Sequence, residues 1–122
     1  MEYLPLFFRL STRPVLVVGG GRIALRKCRL LLEAGAHIKL VSPDIEHELE
    51  AMLAAAGGSW HQDSYAQHYL DGVDLVVVAT PNRELNASVA ADADARHLPV
   101  NVVDDPELCS FIVPAIIDRS PL

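Results

Sequence analysis

Four consecutive apolar residues, Val15-Leu16-Val17-Val18, run without polar alternation into three glycines, Gly19-Gly20-Gly21, followed by Arg22-Ile23-Ala24. A strand apolar at every position has both faces covered, which is the habit of strands in parallel sheets flanked by helices. The glycines mark an abrupt exit from that strand. From Ile23 to Ala34 the spacing predicts a helix, with Ala24, Leu30 and Leu31 among its core-facing residues and Gly35 as its stop.

The same alternation recurs along the chain. His37 to Ser42 reads as a second strand ending at Pro43, and about Ile45 to Ala56 as a helix closed by Gly57-Gly58. Ser59 to Gln62 is a short strand and Tyr65 to Leu70 a short helix or turn. Asp74 to Thr80 contains the clearest strand, Leu75-Val76-Val77-Val78, followed by an alanine-rich helix over Asn82 to His97. Pro99 to Asp104 is a further buried strand. Phe111 to Asp118 is expected to be another, placed near an edge because Pro114 interrupts it. The expected fold class is α/β, a Rossmann-type doubly wound, mostly parallel sheet with helices on both faces. In such sheets ligands bind beyond the carboxyl ends of the strands. Gly19, Ser42, Thr80 and Asp104 each end a strand, so all four are expected in one crevice.

The glycine turn has the chemistry of a pyrophosphate cradle. Gly19 allows the tight turn, and Gly21 allows backbone to approach a phosphate with no Cβ in between. Ala24 is the small residue where helix must lie close on strand. The free N–H groups and positive end of that helix then face the anion. These residues predict a dinucleotide site. The second strand ends in Val41-Ser42-Pro43-Asp44, so the acid that customarily holds an adenosine ribose is displaced or absent. Asp44 has two roles open to it, ribose contact or helix N-cap ahead of Ile45. No arginine stands at that strand end, which favours NAD over NADP. Thr80-Pro81-Asn82 is placed either to contact a nicotinamide ribose or to cap the next helix.

Asn101-Val102-Val103-Asp104-Asp105-Pro106 sends an amide and two carboxylates into the same crevice. They suit turn formation before a proline, and a carboxylate beside a nicotinamide is also placed to accept a proton. The five histidines share no ligand spacing, and no resident metal is expected. Cys28 and Cys109 are expected as reduced thiols, as in a cytoplasmic protein. The formal charge of −6 argues against a general nucleic-acid binder. Arg22, Arg26, Lys27 and Arg29 nevertheless gather beside the glycine turn. No apolar run approaches a membrane span, and the first residues lack the make-up of a signal peptide.

Four separated stretches together resemble a known family. They are Val17 to Lys27, Leu31-Leu32-Glu33-Ala34-Gly35-Ala36, Asn101-Val102-Val103-Asp104, and Phe111 to Leu122. In this order they are similar to the amino-terminal precorrin-2 dehydrogenase and sirohydrochlorin ferrochelatase module of siroheme synthases. The likeness extends back to Leu4-Pro5-Leu6-Phe7. It implies that NAD takes a hydride from precorrin-2 and that ferrous iron then enters sirohydrochlorin in the same pocket. It assigns Asp104 to both steps, and Arg22-Ile23 and Pro43-Asp44 to cofactor contact. It also implies a homodimer and a chain that continues into another strand, a dimerisation region and a helical region, so residues 1–122 are expected to be one NAD-binding domain and a fragment of a longer protein. An NAD-sensing regulatory module without catalysis is the alternative, since it shares the glycine turn but has no need of Asn101 to Asp104.

Overall fold

The structure is a computed structural model that describes residues 2–113. Among the described residues, five strands form one parallel sheet: β1 (Pro14–Val18), β2 (His37–Ser42), β3 (Ser59–Gln62), β4 (Leu75–Val78) and β5 (Val100–Val102). Their order across the sheet is β3-β2-β1-β4-β5. The chain therefore winds outward from β1 to β3, returns to the centre, and winds the other way through β4 to β5. The topological switch lies between β1 and β4.

Three α-helices among the described residues cover the sheet: α1 (Arg22–Glu33), α2 (His47–Ala56) and α3 (Arg83–Ala95). Because side chains alternate along a strand, the continuous apolar runs divide into two cores. Val15, Val17, Ile38, Leu40, Leu75 and Val77 pack with Ala24, Leu25, Cys28 and Leu31 of α1 and Leu49 and Leu53 of α2. Leu16, Val18, Val41, Val76, Val78, Val100 and Val102 pack on the other face with Val89, Ala90 and Ala93 of α3. Ala24 is wholly buried, as close approach of helix to strand requires.

The strands end level with one another. Val18 pairs with Val41 and Val78, and Val78 pairs with Val102. Gly19, Ala79 and Val103 continue the ladder by one bond each, donating to Val41, Val18 and Val78 carbonyls at 3.0, 2.8 and 3.0 Å. The next residue of each strand can then turn away, which opens a crevice along the carboxyl edge.

Two local details depart from the sequence expectation, and a third narrows it. α2 begins at His47 with Glu46 at its N-cap, so Asp44 does not cap it. The reason is that Glu46 N–H donates to Gly20 O at 2.7 Å, which holds residues 44–46 against the glycine turn and out of helical conformation. The segment from Tyr65 contributes only a 3₁₀ turn over Gln67–Leu70. Phe111 to Val113 is not strand, and the remainder of the strand expected to Asp118 lies outside the described residues. The chain does return along β5, however. Ser110 N–H donates to Val100 O at 2.8 Å, Val100 N–H donates to Ser110 Oγ at 2.8 Å, and Val102 N–H donates to Cys109 Sγ at 3.2 Å. The outer edge of β5 is thus satisfied partly by side chains, which blunts it against pairing with another strand.

Candidate cofactor-binding site

A crevice of about 580 Å³ runs along the strand ends. Gly19, Gly21, Arg22, Ile23, Pro43, Asp44, Thr80 and Asp104 all line it, with Gly20, Ser42, Ala79, Pro81, Leu85 and Val103 between them. Residues up to 85 positions apart meet there because the level strand ends deliver them to one edge.

The three glycines have separate causes. Gly19 has φ +127°, and a Cβ on it would stand 2.2 Å from Ala79 O. Neighbouring β4 therefore demands glycine. A Cβ on Gly20 would lie 2.2 Å from Asp44 O and 2.6 Å from Ser42 Oγ, so the loop after β2 demands it there. A Cβ on Gly21 would meet no protein atom within 4 Å. The fold leaves that space open, at the start of a twelve-residue helix with no side-chain cap and no acid in its first turn. First-turn N–H groups without a side-chain cap and an unfilled approach suit an anion. A dinucleotide pyrophosphate fits the residues present.

On the β2 side the crevice wall is Ser42-Pro43-Asp44. Ser42 is buried, and its carbonyl and hydroxyl oxygens accept from Trp60 Nε1 at 3.1 and 3.2 Å. Arg22 leans onto this wall from the glycine turn, its Nη1 donating to Glu46 Oε1 at 2.8 Å. An arginine therefore does stand beside the end of β2, although none follows that strand in sequence. Glu46 was not legible as a site residue, because only the tertiary contact sets it opposite Arg22.

Beyond β4, Asn82 is the cap of α3, its Oδ1 accepting from Leu85 N–H at 3.1 Å. Thr80 is tied to buried Asn86, whose Nδ2 donates to Thr80 O at 2.9 Å and whose Oδ1 accepts from the Thr80 hydroxyl. Thr80 lines the crevice and the capping falls to Asn82, so the two roles open at Thr80-Pro81-Asn82 are divided between neighbours.

Asp104 follows β5 with φ +63°, a left-handed conformation uncommon for a residue with a side chain and best tolerated by Asn and Asp. The kink exposes Asp104 at the meeting point of the crevice and a second cleft of about 250 Å³, lined also by Ile23, Arg26, Lys27, Leu30 and Val103. Asp105 lines neither. Its N–H donates to Val102 O at 3.1 Å and its carbonyl accepts from Leu108 N–H at 3.1 Å, so it serves the 3₁₀ turn over Pro106–Leu108. The loop is fastened from beneath. Asn101 Nδ2 donates to Phe111 O at 3.0 Å, and the Cys109 thiol lies 3.2 and 3.3 Å from the Val102 and Asp105 carbonyl oxygens. Burial pushes the Cys109 thiol up, and pushes that of Cys28 up to about 12, so neither is a ready thiolate. Both cysteines are free, and no cluster of three potential metal ligands occurs among the described residues.

A parallel sheet with a glycine turn at its switch point and an open anion cradle defines a Rossmann-type dinucleotide-binding domain. Residues 6–115 match the family described as putative NAD(P)-binding, to which this chain belongs. Its cofactor is a nicotinamide dinucleotide. The chain is 57% identical over all 122 residues to a siroheme synthase from Pseudomonas fluorescens (strain Pf0-1), covering 26% of that protein. It is 56% identical to one from Saccharophagus degradans, covering 27%. The chain thus spans about a quarter of the length of these relatives. Among solved structures, SirC, a precorrin-2 dehydrogenase, superposes with a TM-score of 0.83 at 28% identity, over 98% of this chain and 59% of that one. A dipicolinate synthase from Bacillus halodurans matches with a TM-score of 0.58 at 25% identity, over 83% and 36%.

Proposed function

We propose that this chain is the dehydrogenase module of siroheme synthesis, one NAD-binding domain within a longer enzyme that oxidises precorrin-2 to sirohydrochlorin. The observation that carries this is the position of Asp104 between two clefts. One is the crevice that suits the dinucleotide, and the other is lined by apolar residues with Arg26 and Lys27. Similarity to siroheme synthases over the whole chain and to SirC in fold supports the choice of substrate.

Bound along the crevice, the dinucleotide supplies the hydride acceptor. Gly19 and Gly21 would receive its pyrophosphate, with Arg22 and Ile23 beside them, Pro43 and Asp44 would contact it from the β2 wall, and Thr80 from the β4 side. Precorrin-2, larger than the second cleft, lies across it with part of its ring against Ile23, Leu30 and Val103 and carboxylates toward Arg26 and Lys27. Oxidation removes a hydride and a proton, and the Asp104 carboxylate takes the proton. Insertion of ferrous iron, a substrate here, displaces pyrrole N–H protons, and the same carboxylate takes them one at a time, passing each to solvent, in a second, lyase reaction as ferrochelatase. The enzyme works as a cytoplasmic homodimer. Free cysteines support the first attribute. The exposed apolar arm of Leu4, Leu6 and Phe7 supports self-association. Net negative charge supports a small-molecule partner over nucleic acid. No helix among the described residues is long and apolar enough to cross a membrane.

Replacing Asp104 by Asn preserves shape and removes the proton acceptor. NAD binding should persist, while oxidation of precorrin-2, followed by absorbance, should fall by about 10²-fold or more. Asp105→Asn should stay near the wild-type rate. A near-wild-type rate in Asp104→Asn would remove Asp104 from the mechanism.

A further inference from the structure

The mouth of the crevice on the β2 side carries both elements by which such domains sort their cofactors. An acid there receives the 2′-hydroxyl of an adenosine ribose, and an arginine there receives a 2′-phosphate. Arg22 is the arginine, three-quarters exposed, and Asp44 lines the same wall. Arg22 is not electrostatically free, because Glu46 holds its guanidinium in a charge-assisted bond of 2.8 Å. Glu46 is itself fixed. Its side chain is only 27% exposed and its backbone N–H is bonded to Gly20 O.

We propose that Glu46 sets the preference for NAD over NADP by neutralising Arg22 beside the adenosine ribose. Glu46 is a positioning residue, since it acts through Arg22 and does not line the crevice. With Glu46 in place, a 2′-phosphate meets the negative charges of Glu46 and Asp44 and a cation already engaged. The ribose hydroxyls of NAD carry no charge and are indifferent to the pair. Removing the Glu46 charge leaves Arg22 available to the phosphate, while the backbone bond to Gly20 persists.

This rests on the crevice being the dinucleotide site, and calorimetric titration with NAD and NADP separates the two ideas. Glu46→Gln should tighten NADP binding by about tenfold, the scale of one unit charge a few ångströms away at a partly exposed site, and leave NAD within about threefold. The gain should shrink at roughly 1 M salt. Arg22→Gln added to Glu46→Gln should abolish it. Glu48→Gln breaks the neighbouring Arg29–Glu48 pair, also 2.8 Å, and should alter neither affinity. Unchanged NADP affinity in Glu46→Gln with NAD binding intact would overturn the proposal. So would a gain that survives without Arg22, or equal loss of both cofactors in a folded Glu46→Gln, which would make Glu46 a mere support of the turn. Failure of the wild-type chain to bind either cofactor would instead sink the dinucleotide site, and the selector with it.

Discussion

Alanine at Gly20 and alanine at Gly21 should have opposite consequences, although the residues are adjacent and equally small. A Cβ at Gly20 would sit 2.2 Å from the Asp44 carbonyl oxygen and 2.6 Å from Ser42 Oγ. Ordinary contact needs more than a further ångström, so the loop after β2 must retreat. That retreat breaks the 2.7 Å bond from Glu46 N–H to Gly20 O. Overpacking costs about 1–3 kcal/mol and the lost hydrogen bond about 1 kcal/mol, giving about 2–4 kcal/mol together. For a chain of this length that is about 4 °C per kcal/mol, or a fall in Tm of about 8–16 °C. Gly21 has φ −94°, open to any residue, and its Cβ would meet nothing. Gly21→Ala should therefore stay within about 1 kcal/mol of wild type. It should nonetheless weaken NAD binding by about tenfold or more, because the methyl occupies the approach to the first turn of α1. Scanning calorimetry and NAD titration on both variants check this. Equal loss of stability, or Gly21→Ala binding NAD as well as wild type, would refute the division of the glycines between fold and ligand.

Two further outcomes concern the core and the loop that carries Asp104. Burial raises the Cys28 thiol to about 12 from about 9. The unfolded chain therefore releases this proton first, so stability should fall as pH rises from about 9 toward 12, by up to about 1.4 kcal/mol per pH unit. Urea denaturation at pH 8 and 10 should show that loss in wild type and less of it in Cys28→Ala, and identical pH dependences would refute it. Asn101→Ala removes the donor to Phe111 O and should lower Tm by about 4–8 °C, from the roughly 1–2 kcal/mol such a buried bond carries. An unchanged melting curve would show that the bond does not hold the returning segment.

The order of elements was legible because parallel strands buried on both faces cannot disguise themselves. Val15 to Val18 and Leu75 to Val78 are apolar at every position, and both lie where expected. The crevice was legible for a related reason, since Gly19, Ser42, Thr80 and Asp104 end or follow strands that register makes level. What sequence left open were the choices between neighbours of similar chemistry. Asp104 and Asp105 are both carboxylates before a proline, and only the left-handed kink at Asp104 turns one toward the clefts and gives the other to the 3₁₀ turn. Asp44 and Glu46 were both acids near a helix start. The bond from Glu46 N–H to Gly20 O, made across 26 residues of chain, moved the helix start to His47 and placed Glu46 against Arg22. Local pattern reports which face of an element is buried, because burial repeats with the period of that element. Contacts between loops have no period, so the pairing of Arg22 with Glu46 and the separate reasons for Gly20 and Gly21 arise only when β1 and β2 lie side by side.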